Sequence, residues 1–221
     1  MAGRFERVKS SIRVPAPTVI GAAYLAGSIP FSGLLAWALR GVDLRAYGAG
    51  TVSGTGLYRV AGLRPLLIGG ILDVAKGTVG PALATRDRPV LAAVAGGAAV
   101  VGHNWSACLH GAGGRGISAA LGSMLFTGWQ GSVHLLAALA AGKAVRSSSV
   151  GAFAGYVTLP AVMARHRGKD GLLAGLCLVV PLLLKRVMGN QPLPPVGTGR
   201  VAVTRLFFDQ DTPLWPRLRP R

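Results

Sequence analysis

Long apolar runs, interrupted by short glycine-rich and basic stretches, occupy most of this 221-residue chain. A transmembrane helix needs about 20 mainly apolar residues, and only helices or closed barrels satisfy every backbone polar group in lipid. The runs lack strand-like alternation, so they predict an all-α, polytopic membrane helix bundle. Candidate spans are residues 17–39, 65–84, 89–109, 117–128, 131–145, 149–164 and 171–188. We expect about seven transmembrane helices, or six if the short fourth and fifth runs form one bent segment.

Composition and charge agree with this class and limit the partners. Hydrophobic residues make up 51% of the chain and charged residues 14%, whereas about 25% of a soluble domain is charged. The 24 Lys and Arg outnumber the 7 Asp and Glu, which gives a net charge of +17. The basic residues flank apolar runs, so they predict contact with anionic lipid headgroups and phosphate compounds instead of nucleic acid.

The chain divides into three parts by composition. Residues 1–16 form a basic N-terminal segment, residues 17–190 an integral membrane domain, and residues 191–221 a polar tail. The first apolar run is too long for a signal-peptide core, so we expect it to be retained. The larger group of loop Lys and Arg lies beside the glycine-rich stretches and the tail, which places that side in the cytoplasm. The basic N-terminus favours the opposite orientation.

Two glycine-rich polar stretches are candidate anion sites. The first offers glycines for close backbone approach, hydroxyl donors and a guanidinium; its candidate ligands are Gly48, Gly50, Thr51, Ser53, Thr55 and Arg59. The second directly precedes an apolar helical run, so its N–H groups lie at a positive helix end; its candidates are His103, Asn104, Gly113, Gly114, Arg115 and Gly116. Ordinary interhelical turns are the alternative interpretation of such stretches.

Three further features involve polar residues within or beside the apolar runs. Ser149 closes the Arg-Ser-Ser-Ser stretch 146–149, and such a serine cluster at a helix start is more often a cap than a site. Asp73 and Lys76 are three residues apart and share a helix face, which favours a structural ion pair over a functional one. Cys108 and Cys177 have no partner at ligand spacing, so neither a disulfide nor a metal site is predicted.

Five segments in order resemble motifs of the PlsY family, the bacterial acyl-phosphate:glycerol-3-phosphate acyltransferases. Residues 24–31, which include Ser28, are similar to the family's GSIPFG motif, and residues 48–59 to GSGNxGATNxxR. Residues 73–77 match DxxKG, and residues 102–116 align with GHNxPxFxxFxGGKG without a gap. Residues 146–152 resemble RYxSLxS, with Ser149 on the conserved serine of that pattern.

The resemblance implies a seven-helix protein of the bacterial plasma membrane whose site faces the cytoplasm and needs neither metal nor coenzyme. Such a protein transfers a fatty acyl group from acyl phosphate to the 1-hydroxyl of glycerol 3-phosphate, which yields lysophosphatidate and phosphate for phospholipid synthesis. It implies catalytic roles for Arg115, Ser149, His103 and Asn104. The first glycine-rich stretch and Ser28 would bind the acceptor, and Gly113, Gly114 and Gly116 the acyl phosphate.

The chain also departs from these motifs. Ala49 and Thr51 replace a serine and an asparagine, Gly56 replaces a second asparagine, and Arg115 replaces a lysine. Of the family's later HRxNIxRLxxGxE motif, only Lys185-Arg186 and a loose Gly-Asn-Gln at 189–191 are retained. Two alternatives therefore stay open: a related protein that binds phosphate or phospholipid without acyl transfer, and a small membrane transporter suggested by the intramembrane Asp73 and Lys76.

Overall fold

Helices form all the regular structure in the residues that the computed structural model describes, which are 13–48, 50–84, 87–193 and 197–209. They are α1 (Ala16–Ser28), α2 (Phe31–Arg40), α3 (Gly54–Ala61), α4 (Leu63–Ala84), α5 (Pro89–Asn104), α6 (Ile117–Thr127), α7 (Trp129–Ala144), α8 (Ser148–Met188) and α9 (Thr198–Phe208). The predicted all-α class is thereby confirmed. Most of the basic N-terminal segment, Ala49 and the tail beyond Asp209 lie outside the described residues.

Four stretches of the described chain are long and apolar enough to cross a membrane: Ala16–Arg40, Leu63–Ala84, Pro89–Leu109 and Ser148–Met188. The last has 41 residues, about twice the length of one crossing. Helices α6 and α7 are shorter, with 11 and 16 residues. Large apolar side chains cover the outside, and Trp37, Ile71 and Val133 are each more than half exposed. These features confirm a membrane bundle, whereas the count of seven spans stays a prediction.

Helix α8 is a helical hairpin. Its backbone leaves helical geometry at Arg167 and Gly168, and Gly168 has φ +58° and ψ −138°, a conformation that glycine adopts without steric cost. After this turn Gly171 faces the backbone of Met163, and Gly175 faces Pro160. The two arms are therefore antiparallel, and they correspond to the separately predicted spans 149–164 and 171–188.

Helices α6 and α7 are also separate and antiparallel, so the expectation of two segments holds over one bent segment. Gly128 lies between them, Gly131 faces the Met124 sulfur, and the Ser132 hydroxyl donates to the Leu121 carbonyl over 3.1 Å. Both helices pack on α8. This arrangement returns the chain to the side on which α6 began.

The first predicted span, 17–39, is broken between α1 and α2 at Pro30. Proline lacks an N–H and disfavours helical geometry in the residue before it. The freed Ile29 carbonyl accepts a hydrogen bond from the Lys76 Nζ over 2.6 Å. Lys76 also pairs with Asp73 at 2.8 Å, and the Asp73 carboxylate accepts from the Ser32 hydroxyl at 2.8 Å. The predicted ion pair therefore forms, and it satisfies the irregular backbone inside the bundle.

Helix α5 lies at the centre of the bundle. Eleven of its 16 residues are buried, and it packs against α1, α4, α6 and α8. Glycines allow the closest backbone contacts: Gly27 faces the Ala99 carbonyl, and Gly102 faces that of Tyr24. Where α4 meets α6, Gly77 faces Ala119. Small residues stabilise helix pairs in lipid because they let the backbones approach and make extensive van der Waals contact.

Gly77→Ala should separate α4 from α6, because the new methyl would meet the Ala119 backbone. We expect a loss of about 1–3 kcal/mol in the free energy of unfolding, measured in mixed micelles. Gly70 is the matched control, since it lies on α4 with open space around its Cα. Gly70→Ala should stabilise slightly through helix propensity. Equal losses in the two variants would contradict this account of the α4–α6 contact.

Lys76→Met should leave the Asp73 carboxylate buried without its cation. We expect this single change to lower the free energy of unfolding by about 3–5 kcal/mol. The double variant Asp73→Asn, Lys76→Met removes both charges and should recover about half of that loss. A single variant as stable as the native protein would show that the pair has no structural role.

Candidate active site

A cavity of about 670 Å³ lies at the end of the bundle where α5 ends, α6 begins and both ends of α8 meet. Its lining comes from the stretch before α3, from helices α3, α4, α5 and α7, from the start of α6, from both arms of α8 and from the residue after α9. Segments far apart in sequence therefore face one space. This convergence is the first requirement of a site assembled from several motifs.

Nine of the residues predicted to bind substrate or to act in catalysis line this cavity: Gly48, Thr51, Ser53, Thr55, Arg59, His103, Arg115, Gly116 and Ser149. Ser28, Gly113 and Gly114 instead line a much smaller adjoining pocket, which His103 also borders. Gly50 and Asn104 line neither. The structure thus brings together the three polar stretches from which the site was predicted, while their roles remain predictions.

The two glycine-rich stretches are joined by hydrogen bonds. The Val52 N–H donates to the Gly113 carbonyl over 3.1 Å. The Asn190 side chain donates to the Gly50 carbonyl at 2.7 Å and to the Gly113 carbonyl at 2.9 Å. Asn190 therefore connects both stretches to the end of α8. Sequence reasoning did not assign it a role, because a single asparagine after the last apolar run has no pattern that shows which segments it contacts.

Helix α3 presents two candidate ligands on one face. Ser53 caps the helix, because its hydroxyl accepts a hydrogen bond from the Gly56 N–H over 3.3 Å. Thr55 and Arg59 are four residues apart, and this spacing places them on the same side of the helix. Both line the cavity. The cap thus fixes the start of a short helix that carries a hydroxyl and a guanidinium to the site.

The His-Asn pair at the end of α5 serves two different purposes. The Asn104 amide donates to the Pro181 carbonyl over 2.8 Å and the residue is fully buried, so this side chain binds α8. His103 is 8% exposed and lines the cavity, and its ring lies against Gly114. The buried Nδ1 of His103 has no hydrogen-bond partner in the described chain. Of the two residues, only His103 is placed to meet a ligand.

The cavity has an excess of cationic groups. Arg59, Arg115 and Arg186 line it, against the carboxylates of Asp73 and Asp209. The Arg115 guanidinium pairs with Asp209 at 2.8 Å and donates to the Lys185 carbonyl over 3.2 Å. The Arg186 guanidinium donates to the Ser149 carbonyl over 2.7 Å. Guanidinium groups with additional N–H donors bind phosphate oxygens well.

Tyr156 and Asp209 are among the lining residues to which sequence analysis gave no role. The Arg186 guanidinium lies over the Tyr156 ring, 5.8 Å from the ring centre. An isolated tyrosine within an apolar run does not indicate a site residue. Asp209 belongs to the tail, which was predicted only as a polar segment. Helix α9 packs on α8, and nothing in the apolar pattern indicates that contact.

Apolar groups complete the cavity: Leu66, Ile117, Leu139, Ala152 and Leu182. No cluster of His, Cys, Asp and Glu suited to a metal ion occurs in the described part of the chain. The fold and the cavity together define a helical membrane protein with an interior cavity in which arginine side chains lie beside an apolar wall.

Comparison with known proteins identifies the family. A family model described as glycerol-3-phosphate acyltransferase matches residues 18–190, and the chain therefore belongs to the glycerol-3-phosphate acyltransferase family. A glycerol-3-phosphate acyltransferase of Myxococcus xanthus is 38% identical over 165 residues, which cover 70% of this chain and 86% of the relative. Glycerol-3-phosphate acyltransferase 5 of Dehalococcoides mccartyi is 30% identical over 203 residues, 86% of each chain.

The crystal structure of PlsY (YgiH), an integral membrane glycerol 3-phosphate acyltransferase, shares the fold. Its glycerol 3-phosphate form aligns with a TM-score of 0.70 at 24% identity, covering 77% of this chain and 88% of that one. The lysophosphatidic acid form aligns with a TM-score of 0.69 at 20% identity, covering 86% and 93%. The family resemblance drawn from sequence is confirmed.

Asn190→Ala should loosen the site by removing both side-chain bonds to the glycine-rich stretches. Each hydrogen bond is worth about 1 kcal/mol, so we expect a loss of about 1–3 kcal/mol in the free energy of unfolding. Thr204→Ala is the control, because the exposed Thr204 hydroxyl bonds only within its own helix. An Asn190→Ala protein of native stability would mean that backbone bonds alone hold the two stretches together.

Proposed function

We propose that this protein transfers a fatty acyl group from acyl phosphate to the 1-hydroxyl of glycerol 3-phosphate, producing lysophosphatidate and inorganic phosphate. Family membership gives the reaction class. The observation that carries the proposal for this chain is that Arg59, Arg115 and Ser149, from three separate segments, line one cavity. Its apolar wall provides a place for the acyl chain.

The two substrates would occupy different parts of the cavity. Arg59 with the backbone of Gly48 and of residues 50–56 would bind the phosphate of glycerol 3-phosphate. Arg115 and Gly116 would bind the phosphate of the acyl donor, where the start of α6 adds N–H groups and the positive end of a helix. Two separate cationic groups allow two anionic substrates to bind next to each other.

Acyl transfer then needs positioning and charge stabilisation. The 1-hydroxyl oxygen attacks the acyl carbonyl carbon, a new C–O ester bond forms, and the bond between that carbon and the phosphate oxygen breaks. The hydroxyl proton goes to the departing phosphate, so no side chain has to accept it. Negative charge grows on the carbonyl oxygen and on the leaving phosphate, where Arg115 and nearby N–H donors stabilise it. His103 and Ser149 would orient the reacting groups.

We further propose that the protein resides in a bacterial plasma membrane with this cavity open to the cytoplasm. The loop Lys and Arg on the side of the glycine-rich stretches outnumber those on the other side, which is the distribution of cytoplasmic loops. A cytoplasmic opening gives direct access to water-soluble glycerol 3-phosphate. The lysophosphatidate product would pass into the surrounding lipid.

Purified protein given acyl phosphate should release inorganic phosphate only when glycerol 3-phosphate is also present. Arg115→Ala should lower kcat/KM by about 100-fold or more, because the variant loses charge-assisted bonds to the leaving phosphate. Arg59→Ala should mainly raise the KM for glycerol 3-phosphate, by about tenfold or more.

Arg64→Ala is the matched control, since Arg64 is exposed at the start of α4 and does not line the cavity. Its kcat/KM should stay within about twofold of the native value. Unchanged activity in both cavity variants would remove the site assignment. Phosphate binding without acceptor-dependent release would identify the protein as a relative that binds phosphate but does not transfer acyl groups.

A further inference from the structure

Helix α9 lies beyond the family-matched residues 18–190, yet its end lies in the cavity. Asp209 directly follows the helix and lines the same space as Arg115 and Arg186. The site of this chain therefore contains a carboxylate that the matched segment does not supply. A carboxylate in this position is unexpected in a phosphate site, because it repels a bound phosphate.

A buried arginine anchors the end of α9. Arg205 is 2% exposed, and its guanidinium donates to the carbonyls of Met188 at 2.8 Å and Gln191 at 3.2 Å. These carbonyls belong to the end of α8 and the chain just after it, where helical partners run out. Phe207 adds a ring contact with Phe153 at 4.6 Å between centroids. These contacts of Arg205 and Phe207 fix the position of Asp209, the residue directly after α9.

The end of α9 satisfies donors on two of the cavity arginines. The Asp209 carboxylate pairs with the Arg115 guanidinium at 2.8 Å. Arg186 donates to the carbonyls of Arg205 at 3.2 Å and Phe207 at 3.3 Å. A helix C-terminus carries partial negative charge, so this end resembles an anionic ligand in its charge and in its hydrogen-bond acceptors.

We propose that Asp209 is a built-in competitor for phosphate at Arg115 and so determines how tightly this site holds its phosphate ligands. This inference rests on the anion site of the proposed function. Carboxylate and phosphate oxygens accept the same guanidinium N–H groups, and two anions close together repel each other. The Asp209 side chain is 31% exposed, which leaves room for it to turn away when phosphate enters.

The competition has a consequence for the reaction. A phosphate group displaces Asp209 because it carries more charge and more acceptor oxygens, whereas a weaker anion does not. After transfer, the carboxylate returns to Arg115 and favours the departure of inorganic phosphate. Asp209 is thus a specificity-determining residue that weakens binding of every phosphate species at Arg115.

The test measures binding of inorganic phosphate to the full-length protein in detergent at low salt. Asp209→Asn should bind phosphate about fivefold more tightly than the native protein, since it removes one partly exposed ion pair that phosphate must break. Asp43→Asn is the control for charge, because the exposed Asp43 pairs with Arg45 at 2.7 Å outside the cavity. It should stay within about twofold of native binding.

A second pair of variants tests whether Asp209 acts through Arg115. In an Arg115→Ala background, adding Asp209→Asn should leave the phosphate affinity unchanged, because Asp209 weakens phosphate binding only through Arg115. Tightening of the same size in that background overturns the proposal. The proposal is also overturned if Asp209→Asn binds phosphate as tightly as the native protein, more weakly or not detectably. Weaker binding would show that Asp209 positions Arg115 for phosphate instead.

The native protein provides a measurement that does not depend on how the variants fold. Displacement breaks the ion pair between the Asp209 carboxylate and Arg115, so the carboxyl carbon-13 NMR signal of Asp209 should shift when phosphate is added. An unchanged signal contradicts the competition. Acyl transfer tests the proposed function separately: tighter phosphate binding in Asp209→Asn without acceptor-dependent turnover would overturn that function and leave this inference standing.

Discussion

The site depends on one constraint: backbone that leaves helical geometry inside a membrane bundle must find hydrogen-bond partners from the protein itself. Here long polar side chains on neighbouring helices supply them. Lys76 on α4 binds the carbonyl freed at the α1–α2 break. Asn190, just after α8, binds carbonyls of both glycine-rich stretches. The same donors that stabilise the fold therefore fix the shape of the cavity that the glycines leave open.

Sequence reasoning predicted the bundle because apolar runs and their interruptions are direct consequences of the lipid environment. It also grouped Arg59, Arg115 and Ser149 through the motif resemblance, which spacing alone could not have done. The three residues line one cavity, while their roles stay predictions. It could not find Asn190 or Asp209. Both act through contacts between segments distant in sequence, and a polar residue in a short connection or tail has no periodic pattern that reveals its partner.

One departure from the family motifs, at Arg115, can now be related to the contacts that this chain makes, and the retained Arg186 makes similar contacts. Arg115 replaces a lysine, and its fork of donors binds a carboxylate and a carbonyl at the same time, which a lysine ammonium does less readily. Arg186 is also shared between arms of α8 and the end of α9. A guanidinium at each position has enough N–H groups to donate to acceptors of the protein and to a ligand at the same time.

The hairpin of α8 has a mechanical consequence. Ser149 and Arg186 are 37 residues apart and meet through a hydrogen bond at one end of the bundle, while the reversal at Gly168 lies at the other end. Adding one residue to either arm would advance that arm by about 1.5 Å and rotate its side chains by about 100°. The two arms must therefore keep matched lengths, and the tip, remote from the chemistry, is where this chain can best accept extra residues.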